Sequence, residues 1–158
     1  MKCVTLIFVI LSLMALNSSC GRRRSAEGRK SVPVDQLWRG EIEPQMRREA
    51  PSEGYIASEE AWARLWRAYR GNEELPAIDF SKQVVLVGLG RDSGQVDIET
   101  DSSWAIPLEN GNLKPSYTYS EAGPDNAATS KYVLVLIGRE GVKMINGQSI
   151  GTAGRSGA

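Results

Sequence analysis

Between residues 58 and 90, SEEAWARLWRAYRGNEELPAIDFSKQVVLVGLG, the apolar pattern changes period once, and the change predicts a helix followed by a buried strand. Trp62, Leu65, Trp66 and Tyr69 recur at the i, i+3, i+4, i+7 spacing of one helical face, while Glu59, Glu60, Arg64, Arg67 and Arg70 occupy the others. Ser58 can accept a hydrogen bond from an unpaired N–H of the first turn, and Gly71 can close the helix in a left-handed conformation. The glutamates suit the positive end of the helix dipole, and Arg67 and Arg70 suit the negative end. Pro76 then pushes Leu75 towards extended geometry, and the uninterrupted run of residues 84–87, VVLV, predicts a strand covered on both faces.

The remaining chain reads as short strands and turns. Residues 34–43 predict a short strand, residues 44–54 a charged turn region, and residues 54–56 a second short strand. Val96 and Ile98 alternate with Asp97 and Glu99 as in a half-buried strand. Trp104, Ile106 and Leu108 predict another, with Pro107 marking it as an edge or an irregular strand, and Asn110-Gly111 predicts the turn that ends it. Tyr117 and Tyr119 share a face of the next strand. Residues 121–131, EAGPDNAATSK, form the longest loop, residues 132–137, YVLVLI, a second buried strand, and Asn146-Gly147 a closing hairpin turn. The fold class expected is α+β, with one amphipathic helix packed on a small, mostly antiparallel β-sheet.

Charge and residue inventory narrow the chemistry. Lys plus Arg and Asp plus Glu both number 19, which gives no support for a nucleic-acid partner. There is no histidine, and the only cysteines are Cys3 and Cys20, so Ser-His-Asp and Cys-His nucleophiles and histidine or thiolate zinc sites are excluded. No cofactor is expected. A catalyst would have to work with carboxylates, hydroxyls, lysine or tyrosine, and a carboxylate hydrolase would draw on Asp79, Asp97, Glu99 and Asp101. Asp79, beside Ser81, fits an Asp that caps a tight turn. The spacing of Asp97, Glu99 and Asp101 faintly resembles a calcium loop, but it lacks the glycine of the sharp turn and has Leu108 where the bidentate glutamate belongs.

The N-terminus suggests an address. Residues 1–20 carry Lys2, an apolar run over residues 4–16 and a small polar end, which is the shape of a secretory signal. The ending Asn17-Ser18-Ser19-Cys20 resembles a bacterial lipoprotein cleavage site with Cys20 as the lipidated residue, although Asn17 stands where an aliphatic residue belongs. Residues 21–32 read as a flexible basic linker, residues 33–150 as a single domain and residues 151–158 as a fraying tail. Export places the protein in the cell envelope, as a membrane-anchored lipoprotein or as a periplasmic or extracellular protein.

The segments AWARLWRAY, LPAIDFSK with its following valine run, and YVLVLIGREGVKMING together resemble the PrcB C-terminal-like domain of exported bacterial proteins. The resemblance covers most of residues 58–150. It implies an exported α+β domain and protein binding, since the founding example is a lipoprotein associated with a surface protease complex. It carries no catalytic residues to transfer, and residues 123–126, GPDN, retain only part of the family's glycine- and aromatic-rich loop. The function expected is therefore a noncatalytic, envelope-associated protein-interaction module, accessory to a surface complex such as a protease. Its candidate surface is Tyr117, Tyr119, Pro124, Asp125 and Asn126. The alternatives are a carboxylate-based envelope hydrolase and a small-ligand or metal-binding domain.

Overall fold

The computed structural model describes residues 30–90, 94–120 and 129–151. Ten strands and one α-helix follow in the order β1 (Lys30–Ile42), β2 (Tyr55–Ile56), α1 (Glu59–Arg70), β3 (Gln83–Leu89), β4 (Val96–Ile98), β5 (Ala105–Glu109), β6 (Asn112–Leu113), β7 (Tyr117–Tyr119), β8 (Ser130–Gly138), β9 (Met144–Ile145) and β10 (Gln148–Ser149). A short 3-10 helix spans Pro44–Glu49. Eight strands form one sheet in the order β10-β9-β6-β5-β1-β8-β3-β2, and β4 and β7 pair separately.

This architecture corrects the α+β expectation. Of the described residues, 43% are strand and 16% helix, and the sheet is a curled half-barrel rather than a small support for a helix. Two things enlarge it. β1 is not a short strand of residues 34–43 but 13 residues long, beginning at Lys30, inside what composition reads as linker. It also serves two partners: Lys30 to Pro33 pair with β5, and Val34 to Ile42 pair with β8, with a register shift between Val34 and Gln36. A bulge at that point bends the strand and increases its twist, which lets one strand belong to both halves of a curl.

Curling produces two separate cores. Val32, Val84, Leu86, Ile106, Leu113, Val135, Ile137 and Ile145 are buried together, although they come from strands at both ends of the sheet. Residues so far apart in strand order meet only on a concave face, so this cluster fills the inside of the half-barrel. The edge strands approach as well: the Tyr55 hydroxyl on β2 donates to the Ser149 carbonyl on β10 at 3.4 Å. The β4–β7 ribbon adds Val96 and Ile98 to the inner core.

The outer face takes the helix. Val85 and Val87 of β3 and Leu134 and Leu136 of β8 pack with Trp62, Leu65, Trp66 and Tyr69. β3 and β8 are hydrogen-bonded neighbours and are covered on both faces, which is why their sequences are continuously apolar. α1 runs as its period predicts. Ser58 accepts from the Ala61 N–H at 3.4 Å, and Gly71, with φ 63°, donates its N–H to the Arg67 carbonyl at 3.0 Å. Trp62 and Trp66 lie 4.9 Å apart and against Trp38 of β1 at 5.5 and 5.7 Å. Both helical indoles have their N–H groups satisfied, Trp62 by the Pro76 carbonyl at 3.0 Å and Trp66 by that of Glu73 at 3.3 Å.

Local turn chemistry behaves as the sequence suggests at two hairpins. Asn110 and Gly111 have φ 52° and 79°, and Asn146 and Gly147 have φ 52° and 81°, the doubly left-handed turn whose twist matches paired strands. β5 is not a sheet edge, because β6 lies on its far side. β6 reaches only Leu108 and Glu109, however, so one side of Pro107 stays unpaired and a residue without an N–H is tolerated.

Candidate interaction surface

Three of the four carboxylates that chemistry would require, Asp79, Asp97 and Asp101, are engaged by the fold. The Asp79 carboxylate accepts the Ser81 N–H at 3.0 Å and its hydroxyl, and meets the Lys82 ammonium at 3.2 Å. The Ser81 hydroxyl and the Lys82 ammonium hold its pKa below the ordinary carboxylate value. Asp97 is gripped through both oxygens by Arg39, and its Oδ1 also accepts the Ile98 N–H at 2.8 Å. Asp101 closes a turn, its Oδ1 accepting N–H groups from Ser103 at 2.8 Å and Ala105 at 3.1 Å. Glu99 is exposed and lies beyond the end of β4. The strand thus stops before it can line up all three acids. Among the described residues no group of three or more His, Cys, Asp or Glu side chains could hold a metal ion.

The aromatic candidates divide. Tyr117 belongs to the packing: a Cβ added to Gly88 would lie 2.5 Å from its ring. Its hydroxyl is buried with no hydrogen-bond partner among the described residues, and burial raises its pKa. Tyr119 is 48% exposed. Strand alternation puts both on one side of β7, but Tyr117 meets β3 and Tyr119 lies at the ribbon's end. Pro124, Asp125, Asn126 and Cys20 fall outside the described residues, as do the leader, residues 21–29 of the linker and all of the tail beyond Gly151.

Sequence reasoning missed Trp104. Alternation with Ile106 and Leu108 places it on a strand, yet it precedes β5 with φ 58° and is 52% exposed. A left-handed backbone costs a bulky residue about 1–3 kcal/mol and persists only where neighbouring structure dictates it. Here the dictation is explicit. Trp104 N–H donates to the Asp101 carbonyl at 3.0 Å, Asp101 N–H to that of Ala105 at 2.8 Å, and Val34 N–H to that of Trp104 at 3.1 Å. The run Asp101-Ser102-Ser103 directly before it was the available signal for a turn.

This turn borders a recess of about 240 Å³ floored by Ile106 and Pro107 and walled by Glu99, Asp101 and Lys114. A wider, open groove of about 700 Å³ includes Asp35, Asp79, Lys82, Arg139 and Glu140. Its guanidinium is committed to the fold: Arg139 donates to the Phe80 carbonyl at 2.8 Å and the Gly151 carbonyl at 3.0 Å.

Comparison with protein-family models, with curated proteins and with solved structures finds no match to this chain. No helix among the described residues is long and apolar enough to cross a membrane.

Proposed function

We propose that this protein is a noncatalytic protein-interaction module of the cell envelope, of the PrcB C-terminal-like kind. Its leader sends it out of the cytoplasm, Cys20 anchors it by lipid, and the domain serves as an accessory to a surface complex such as a protease.

The observation that carries this reading is Trp104. An indole held half in water on a backbone conformation that disfavours it is poor use of an apolar side chain for stability, and large exposed aromatics are the residues that anchor protein interfaces. The engagement of Asp79, Asp97 and Asp101 in turns and an ion pair supports a binding role over the hydrolase alternative.

Capture of envelope proteins by the native chain and by Trp104→Asn tests the proposal. Asn accepts the left-handed conformation, so the turn is kept and only the indole is lost. The native chain should retain a specific protein that the variant retains at least tenfold less. Equal recovery by both, or recovery of nothing specific by either, overturns the reading.

A further inference from the structure

We propose that Asn110 is a site of spontaneous deamidation and isoaspartate formation, and that Asn112 protects the matching Asn146-Gly147 turn from the same reaction. Neither turn contains Trp104, so this chemistry is independent of the binding role.

The chain has two Asn-Gly pairs, and both asparagines are exposed. Their turns share one backbone, φ 52° and 79° at Asn110 and Gly111 and φ 52° and 81° at Asn146 and Gly147. Asparagine is chemically labile, and a glycine after it leaves the next backbone nitrogen without a shielding side chain. That nitrogen gives up its proton and attacks the asparagine Cγ. The N–Cγ bond forms, and the Cγ–Nδ2 bond breaks as ammonia leaves with the proton. Water then opens the resulting succinimide. Cleavage at Cγ leaves aspartate, and cleavage at the backbone carbonyl leaves isoaspartate.

The glycine nitrogen is thus the reacting atom, and it is there that the two turns differ. Gly147 N–H donates to the Asn112 Oδ1 at 3.0 Å, so its proton is held and attack on Asn146 must first break that bond. Gly111 N–H has no hydrogen-bond partner among the described residues. A neutral hydrogen bond that must be broken on the way to reaction slows the step about two- to tenfold.

Conversion at Asn110 reaches beyond its own hairpin. Isoaspartate adds a carbon to the main chain and lengthens a two-residue loop by a bond of about 1.5 Å. The Gly111 carbonyl accepts the N–H groups of Lys143 and Met144 at 2.7 and 3.0 Å, and Asn112 pairs with Met144 in the parallel β6–β9 contact. Displacing residue 111 therefore loosens the junction between the two hairpins.

The test is peptide mapping of the full chain aged at mildly alkaline pH, with both asparagines followed by mass and by separation of the isomers, beside the same chain aged in urea. In urea neither turn exists, and the ratio of the two rates is set by local sequence alone. Relative to that ratio, folding should favour Asn110 over Asn146 by about two- to tenfold. Asn112→Ala should raise the Asn146 rate by the same factor and leave Asn110 unchanged. Asn112→Asp keeps an acceptor oxygen and should leave both rates native. An unchanged ratio on folding, or one that favours Asn146, overturns the proposal. So does a native Asn146 rate in Asn112→Ala. A parallel rise at both sites in that variant also overturns it, because one lost hydrogen bond should be felt at Asn146 alone.

Discussion

Arg39 on β1 holds both carboxylate oxygens of Asp97 on β4, at 2.8 and 2.7 Å across 58 residues of sequence. The pair joins the β4–β7 ribbon to the main sheet, and it turns an acid that a hydrolase would need into a tie between strands. Both side chains are about half exposed, at 50% and 47%, so solvent screens the attraction. Asp97→Asn should cost about 0.2–1 kcal/mol, and the cost should shrink in 1 M NaCl. Urea midpoints at two salt concentrations measure it. A loss above 2 kcal/mol would mean that Asp97 does more than hold the ribbon.

Trp62 carries a larger share of stability. It is 1% exposed, tilted against both Trp38 and Trp66, and bonded through its indole N–H to the loop at Pro76. Trp62→Ala should destabilise by about 3–5 kcal/mol through lost burial and a residual cavity. Chemical denaturation checks this, and a change under 1 kcal/mol would place the helix off the sheet.

Gly88 lies where β3 meets the ribbon. A methyl there would come within 2.5 Å of the Tyr117 ring and 2.8 Å of Val133 Cγ1. Gly88→Ala should destabilise by about 1–3 kcal/mol. In the same chain, Tyr117→Leu should recover part of the loss, because the two substitutions share one space. Simple additivity of the two losses would refute the contact.

Tyr69 sets an alkaline limit. Burial drives its pKa up from 10.0 to about 12, and its hydroxyl has no hydrogen-bond partner among the described residues. A raised folded-state pKa means that the unfolded chain releases its proton first. The contribution is therefore complete below pH 10 and is lost as pH rises from 10 through 12. Burial raises the Tyr132 pKa as well, which adds in the same direction. Tyr69→Phe should leave stability at pH 7 within about 1 kcal/mol of native, since it deletes an unsatisfied group, and should flatten the fall between pH 9 and pH 11. Denaturation at these three pH values decides the matter; an unchanged slope in Tyr69→Phe assigns the alkaline loss elsewhere.

Cys20 tests the address. If it carries the lipid anchor, Cys20→Ser should move the protein out of the membrane fraction while the folded domain is unchanged. Persistence in the membrane would show that something other than Cys20 holds it there.

Much of the local structure was legible from residues alone. α1 appears with its Ser58 cap and Gly71 terminus because periodicity, capping and helix closure all act within a few residues. The doubly buried strands β3 and β8 are legible because an unbroken apolar run has no other stable placement. What could not be read is how the two-residue strands β2, β6, β9 and β10 pair, since the β6–β9 contact that joins the two hairpins brings together residues far apart along the chain. The same holds for β1, where the change of partner from β5 to β8 leaves only the modest residues around Asp35 as a trace.

The candidate surface repeats the lesson. Tyr117 and Tyr119 look equivalent by alternation, and only packing against Gly88 separates a core ring from an exposed one. Trp104 looks like a strand residue until the hydrogen bonds of Asp101 and Ala105 turn it outwards.

By itself the sequence determined the helix, the two apolar strands, the turn sites and the absence of histidine chemistry, since each depends on neighbouring residues or on composition. Only the tertiary structure decided that the sheet curls on itself, that Asp97 is bound by Arg39 and that Trp104 faces water. Those outcomes come from contacts between residues tens of positions apart, whose energies no local pattern contains.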